Sequence, residues 1–226
     1  MGAMQIHCAD VVHGLSVISR VEATHVWAQG CPHSCSGCCN QEYRAATGGT
    51  LLDVRDLAGA IAARPRTRLL VLSGGEPFGQ ARAAASLCAL LAEARPRLGV
   101  VAYTGYALED LVHVPHAREL LEYVDVLVDG PYMADMPADD GVRGSTNQRV
   151  IQVGARVRAS TLGRPPELRF EFRTVRGHLR FIGLPPQDWR SLDDPGAGAP
   201  GVKTSREAGR DAVHDEGGRR DEDHSS

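Results

Sequence analysis

Short apolar runs recur along the chain, each closed by a turn and followed by a stretch with helical spacing. Residues 69–72 (LLVL) end at Ser73-Gly74-Gly75, residues 98–103 (LGVVAY) at Thr104-Gly105, and residues 123–128 (YVDVLV) at Asp129-Gly130. Residues 149–153 (RVIQV) and 21–27 have the same character. Unbroken apolar runs of this length describe strands buried on both faces. Between them, residues 53–63 set Leu57 and Ile61 at helical spacing behind Asp53, a residue suited to N-capping. Residues 80–94 are rich in alanine and leucine and stop before Pro96, and residues 108–123 have helical character interrupted at Pro115. Strands alternating with helices predict an α/β fold with a parallel sheet and helical crossovers. In such folds ligands gather at the C-terminal ends of the strands.

Beyond Pro166 the period changes. Residues 168–174 (LRFEFRT) and 178–182 (HLRFI) alternate with period two on either side of Arg176-Gly177. This predicts an antiparallel hairpin closing the domain. Residues 191–226 are dominated by Gly, Asp, Arg, Glu and Ser with almost no large apolar side chain, the composition of a disordered tail. The expected organisation is one domain over residues 1–190, a polar tail over 191–226, and no internal repeat.

Composition narrows the function classes. Of the 226 residues 42% are hydrophobic, enough for a real core, and with a net charge of −3 nothing suggests a general binder of nucleic acid or anionic membrane. Lys203 is the only lysine, which removes lysine as a base or Schiff-base former from the body of the chain. The opening stretch, MGAMQIHCADVVHGLSVIS, has no basic start followed by a long apolar run, and no segment approaches the ~20 apolar residues of a membrane span. The expectation is a cytoplasmic protein whose thiols stay reduced.

Four of the six cysteines fall inside residues 31–39, in the stretch QGCPHSCSGCCNQE. Disulfides within so short a loop are strained. A structural zinc site takes two ligand pairs from separate parts of the chain. No second pair is found: Cys8 and Cys88 are isolated, so His33 or Cys39 would have to complete a cramped local site. Iron–sulfur clusters are held by thiolates. The C-x3-C-x2-C spacing of Cys31, Cys35 and Cys38 can wrap one face of a [4Fe–4S] cube, leaving the fourth iron for a small molecule. Pro32 and Gly37 suit a tight loop. Cys39 is a conceivable fourth ligand, but it directly follows Cys38 and adjacent side chains diverge in an extended chain, so it is read as packing or chance. His7, His13, His25, His113, His116 and His178 are scattered and form no ligand pair. Cys8 and Cys88 read as small buried residues, and Trp27 as core.

The C-x3-C-x2-C motif resembles that of the radical S-adenosylmethionine (SAM) superfamily. Residues 72–78 (LSGGEPF), 103–106 (YTGY), 125–130 (DVLVDG) and 143–151 (RGSTNQRVI) extend the resemblance, in order and spacing, to the activating proteins of anaerobic ribonucleotide reductase, over residues 26–151. The resemblance implies that Cys31, Cys35 and Cys38 ligate a [4Fe–4S] cluster whose open iron chelates the amino and carboxylate groups of SAM. It implies that Ser73, Gly74, Gly75 and Glu76 line the methionine end of SAM, with Glu76 offering charge near the ammonium. Thr104 then stands to hydrogen-bond the ligand or to close an ordinary strand-end turn. Asp129 meets the ribose hydroxyls or a cation, or caps a turn. Asn147, Gln148 and Arg149 contact SAM or form a polar loop. Pattern and resemblance together lead to the expectation of a partial, open (β/α) barrel of five or six parallel strands with the cluster at its C-terminal mouth.

Activases of the pyruvate formate-lyase type carry Asp-x-Lys after a middle strand, where this chain has Asp129-Gly130-Pro131. The sequence thus leads to an enzyme that installs a glycyl radical on a partner such as anaerobic ribonucleotide reductase, fed electrons by a flavodoxin or ferredoxin, with no nucleic acid and no membrane. Two alternatives stand beside it: radical modification of a peptide or small metabolite, and a non-catalytic iron–sulfur or zinc protein. The last leaves the GGEP stretch without a purpose.

Overall fold

The computed structural model describes residues 3–163, 170–175 and 178–183. All of them lie in one compact unit, Met1–Pro185. The expected tail lies outside the described residues. A seven-stranded sheet runs in the order β3-β1-β2-β4-β5-β6-β7. Its strands are β1 (Gln5–Leu15), β2 (Ala23–Ala28), β3 (Thr50–Asp53), β4 (Leu69–Gly74), β5 (Gly99–Tyr103), β6 (Val126–Asp129) and β7 (Arg149–Gln152). The helices are α1 (Val54–Ala62), α2 (Ala81–Ala94) and α3 (Ala117–Leu121).

The parallel part is shorter than expected. β2, β4, β5 and β6 are parallel, while β1, β3 and β7 join antiparallel. The connections explain this. A parallel pair needs a crossover of a dozen or more residues, usually a helix. The link from β1 to β2 is too short for one, and residues 130–148 between β6 and β7 hold no helix. With β3 and β7 at opposite edges, the sheet is mixed and not closed into a barrel.

Sequence patterns account for most of these elements. Asp53 caps α1 by accepting from the backbone N–H groups of Arg55 (2.7 Å) and Asp56 (3.4 Å). Pro115 splits the third helical stretch into a 3-10 turn, Leu108–His113, and α3. β1 was not expected. Asp10 on its buried register and the apolar Ala9 and Val11 on the outward one mask its alternation.

The helices cover one face, where Leu57, Ile61, Leu87, Leu91 and Leu120 pack on Val26, Leu70, Leu72, Val100 and Leu127. On the other face Leu69, Val71, Val101 and Val126 meet Val17 and Ile18. Burial on both faces is why LLVL and its counterparts read as continuous apolar runs. Strands β8 (Phe170–Val175) and β9 (His178–Gly183) pair antiparallel as a separate two-stranded sheet. The Glu171 carboxylate accepts from the Ser16 N–H at 2.7 Å, and Ile182 packs with Val12, Leu15 and Trp27. No helix among the described residues is long and apolar enough to cross a membrane.

His25 lies in the middle of β2, 4% exposed and ring-to-ring with Trp27 at 5.3 Å. Burial pushes its pKa down to about 3, so the folded chain keeps it neutral. Below about pH 6.5 the unfolded chain takes up a proton that the folded chain refuses, and stability falls until the pH nears 3. At pH 5 the expected loss from this one group is about 2 kcal/mol relative to pH 7.5. Urea unfolding across that range should show a shallower acid slope for His25→Gln than for the parent. Equal slopes would remove His25 as the source.

Candidate functional site

The four parallel strands deliver their C-terminal ends to one mouth. From β2 the chain enters the cysteine loop, whose base is closed by backbone hydrogen bonds from Gly30 N to Tyr43 O (2.8 Å) and from Cys31 N to Arg44 O (3.1 Å). The Gln29 carboxamide donates to the carbonyls of Ala45 and Thr47, and the Gln80 carboxamide donates to the carbonyl of Gln29. At the loop's far turn Gly37 has φ +69°, and a Cβ there would come within 2.7 Å of Ala134 Cβ. Only glycine meets both conditions.

Cys31, Cys35 and Cys38 are each half-buried on this loop, and Cys39 is exposed. Burial pushes the Cys31 thiol up, a hydrogen bond from the His33 backbone N–H pulls it down, and the charges of Glu76, Cys35 and Cys38 push it up again. Cys35 and Cys38 therefore both lie within electrostatic reach of Cys31. Among the described residues no group of three His, Cys, Asp or Glu converges tightly enough for a single ion. Zinc would need its donors about 2.0–2.3 Å from one point. A cube distributes its ligands over separate irons, which suits three cysteines spread along one loop. Among the described residues three buried side-chain atoms lack a hydrogen-bond partner: His25 Nε2 within β2, Arg44 Nε at the loop's base and Asn147 Oδ1 just before β7.

Residues 73–76, the last two of β4 and the two that follow, dock on the loop's root. Gly75 N donates to Ala28 O and Glu76 N to Gly30 O, both at 2.8 Å. Gly74 has φ +101°, and a Cβ there would sit 2.6 Å from Ala28 N. A Cβ on Gly75 would overlap the carbonyl oxygen of Gly30. The glycine pair is thus demanded by the seam between β4 and the cysteine loop.

Glu76 is 1% exposed and fully engaged. Its Oε1 accepts from Phe78 N and Thr104 Oγ1, both at 3.0 Å, and its Oε2 accepts from Gly105 N at 2.8 Å and His33 Nε2 at 3.1 Å. A carboxylate has about four acceptor positions. All four are spent on this chain's own donors rather than left open toward an ammonium. Thr104 also accepts from Tyr106 N at 3.1 Å, which makes it part of the same network. His33 rests edge-on against Tyr106, 4.5 Å between centroids.

Asp129, at the end of β6, is equally buried and accepts from Leu108 N (2.7 Å) and from Nε and a terminal nitrogen of Arg149. The same guanidinium bonds Glu109, and its hydrogen bonds hold the Glu109 carboxyl down at about 2. Asn147 donates to Pro131 O, while Gln148 folds onto Gly130, Gly144 and Ser145 and stiffens the loop ahead of β7. Residues 73–76, Thr104 and the cysteine loop are therefore brought together. Asp129 and Arg149 form a neighbouring ion pair. Sequence reasoning weighed His33 only as a zinc ligand and missed Gln29 and Gln80 altogether. His33 had one visible signal, its place inside the cysteine motif.

Residues 19–151 match the family described as "4Fe-4S single cluster domain", and the chain belongs to that family. Three curated relatives share one description, anaerobic ribonucleoside-triphosphate reductase-activating protein. The enterobacteria phage T4 protein is 35% identical over 55% of this chain and 80% of its own length. The Haemophilus influenzae protein is 31% identical over 66% of this chain and 96% of its own. The Vibrio cholerae protein is 33% identical over the same shares. A solved structure, QueE from Escherichia coli, covers 45% of this chain and 53% of that one at 20% identity with a TM-score of 0.39, too slight a likeness to argue from. The protein is a radical SAM enzyme of the glycyl-radical-activating type, with a [4Fe–4S] cluster and SAM as its cofactors.

The seam makes its own prediction. Gly75→Ala is expected to lower stability by about 1–3 kcal/mol, because the added methyl meets backbone that has nowhere to go. Gly79→Ala, whose Cβ would have its nearest neighbour 4.0 Å away at Glu76, should stay within about 0.5 kcal/mol of the parent. Thermal melting of the metal-free chains compares them, and a Gly75→Ala chain that melts with its parent would refute the packing.

Proposed function

We propose that Cys31, Cys35 and Cys38 hold the cluster and that the chain uses it to install a glycyl radical on a partner enzyme, with anaerobic ribonucleoside-triphosphate reductase as the first candidate. The observation that carries this reading is the docking of the three-thiol loop on residues 73–76, supported by relatives whose shared description names that reductase. Held by Cys31, Cys35 and Cys38, a reduced cluster would supply the electron for reductive cleavage of SAM, and the radical chemistry that follows would remove a hydrogen atom from the target. The protein's own residues supply placement. Residues 73–75 present strand-end backbone to the methionine end of SAM, with Glu76 as the organiser behind them. Asn147 Oδ1, which lacks a partner, is an acceptor for the nucleoside end, and Arg44 Nε is a donor at the loop's base. Thr104 braces Glu76, and Asp129 orients Arg149.

The sheet is read as a partial barrel whose open side admits a backbone loop of the partner. A reduced flavodoxin or ferredoxin is the proposed electron source. The test is anaerobic reconstitution with iron and sulfide, followed by reduction and SAM. Expected are 5′-deoxyadenosine from the parent, none from Cys35→Ala, and a glycyl-radical doublet in the EPR spectrum once the reductase is added. A four-iron cluster that neither binds nor cleaves SAM would sink the enzyme reading. Cleavage without a doublet would remove the reductase and turn the search to a peptide or small molecule.

A further inference from the structure

Glu76 joins the three motifs at the mouth, and His33 is the side chain by which the cysteine motif enters that junction. It sits inside the cysteine motif, its Nε2 reaches Glu76 Oε2 of the GGEP stretch at 3.1 Å, and its ring stands edge-on to Tyr106 of the YTGY stretch. The fit is close. A Cβ on Gly105 would lie 2.5 Å from His33 Cδ2, so the glycine of YTGY is what lets the ring in. The residue also acts at its other end, because its backbone N–H lies on the side of the Cys31 thiol and favours the thiolate. Hydrogen bonds to ligating sulfurs are among the determinants of an iron–sulfur cluster's potential. Anchoring the ring therefore also anchors the backbone two residues from a proposed ligating sulfur.

We propose that His33 is a positioning residue, locking the cysteine loop to Glu76 so that the thiols keep a fixed orientation toward the SAM-facing backbone of residues 73–75. Glu76 accepts and the ring Nε2 donates, since a carboxylate offers no proton. This leaves Nδ1 as the ring's second polar atom. The role rests on Cys31, Cys35 and Cys38 being the cluster ligands. It differs from ligation in its consequence, because loss of the ring leaves three thiols in place and changes their aim.

The experiment compares the parent, His33→Ala and His33→Gln, the last placing an amide N–H where Nε2 stands. In the metal-free chains, hydrogen exchange over residues 31–38 should speed up in His33→Ala and return toward the parent in His33→Gln. In the reconstituted chains, His33→Ala should still hold four irons, with a shifted midpoint potential and altered EPR g-values of the reduced cluster. Its KM for SAM in uncoupled cleavage should rise about tenfold, the worth of one charge-assisted hydrogen bond, and His33→Gln should recover most of it. His33→Ala matching the parent in exchange, EPR and KM would overturn the proposal. So would a loaded His33→Gln chain that recovers nothing. If His33→Ala cannot hold a cluster, exchange in the metal-free chains and the Gln variant decide. Failure of the cluster reading looks different: the parent itself then assembles no four-iron cluster, while the exchange contrast between His33→Ala and the parent persists.

Discussion

The mouth of this protein depends on one buried carboxylate. Taking a charge out of water is costly unless it is paired and hydrogen-bonded. Glu76 meets the condition with four donors drawn from three separate segments: its own turn at Phe78, the end of β5 at Thr104 and Gly105, and the cysteine loop at His33. Bonds to an ionised acceptor are stronger than neutral ones, and a network that leaves one member unsatisfied is penalised in full. The three segments are thus held as one set. The adjacent Asp129 follows the same logic with Leu108 N and Arg149. Two strand ends, those of β4 and β6 on either side of β5, carry an acid whose task is to organise neighbouring loops.

The sequence disclosed the site's components more readily than their assembly. The three cysteines, GGEP and YTGY were visible because each departs from the apolar rhythm at a strand end. The strands LLVL, LGVVAY and YVDVLV were visible because burial on both faces leaves no alternation to misread. β1 escaped because a polar Asp10 stands on its buried register and apolar Ala9 and Val11 on its outward one. The antiparallel direction of β7 escaped because strand direction is set by the connection, and a helix-free stretch of residues 130–148 carries no periodic signal of which way it returns. His33 escaped because nothing in a linear string shows that residue 33 faces residue 76.

Gly74 and Gly75 illustrate how a correct residue can be read for an incomplete reason. A glycine pair at a strand end suggests room for a ligand. In the structure the nearest neighbours of the missing Cβ atoms are protein backbone at Ala28 and Gly30. The glycines let β4 and the root of the cysteine loop run on in parallel for two more hydrogen bonds beyond the register of β2 and β4. A backbone able to approach another backbone so closely is also one a ligand can approach, so the two readings are compatible. The packing requirement holds even before any ligand binds.

That distinction bears on how a loop of three thiols is made ready. A single metal ion can gather its own donors, because all of them point at one centre and binding drives the ordering. Three cysteines that serve separate irons share no such centre, so their spacing has to come from the protein. Here the loop is held at three places: its base at Gly30 and Cys31 against Tyr43 and Arg44, its shoulder at His33 against Glu76, and its far turn at Gly37 against Ala134. The clamps come from different parts of the sheet's mouth, and none uses a sulfur atom. The thiols are thereby left for ligation, while their arrangement rests on backbone hydrogen bonds, one buried carboxylate and one glycine turn.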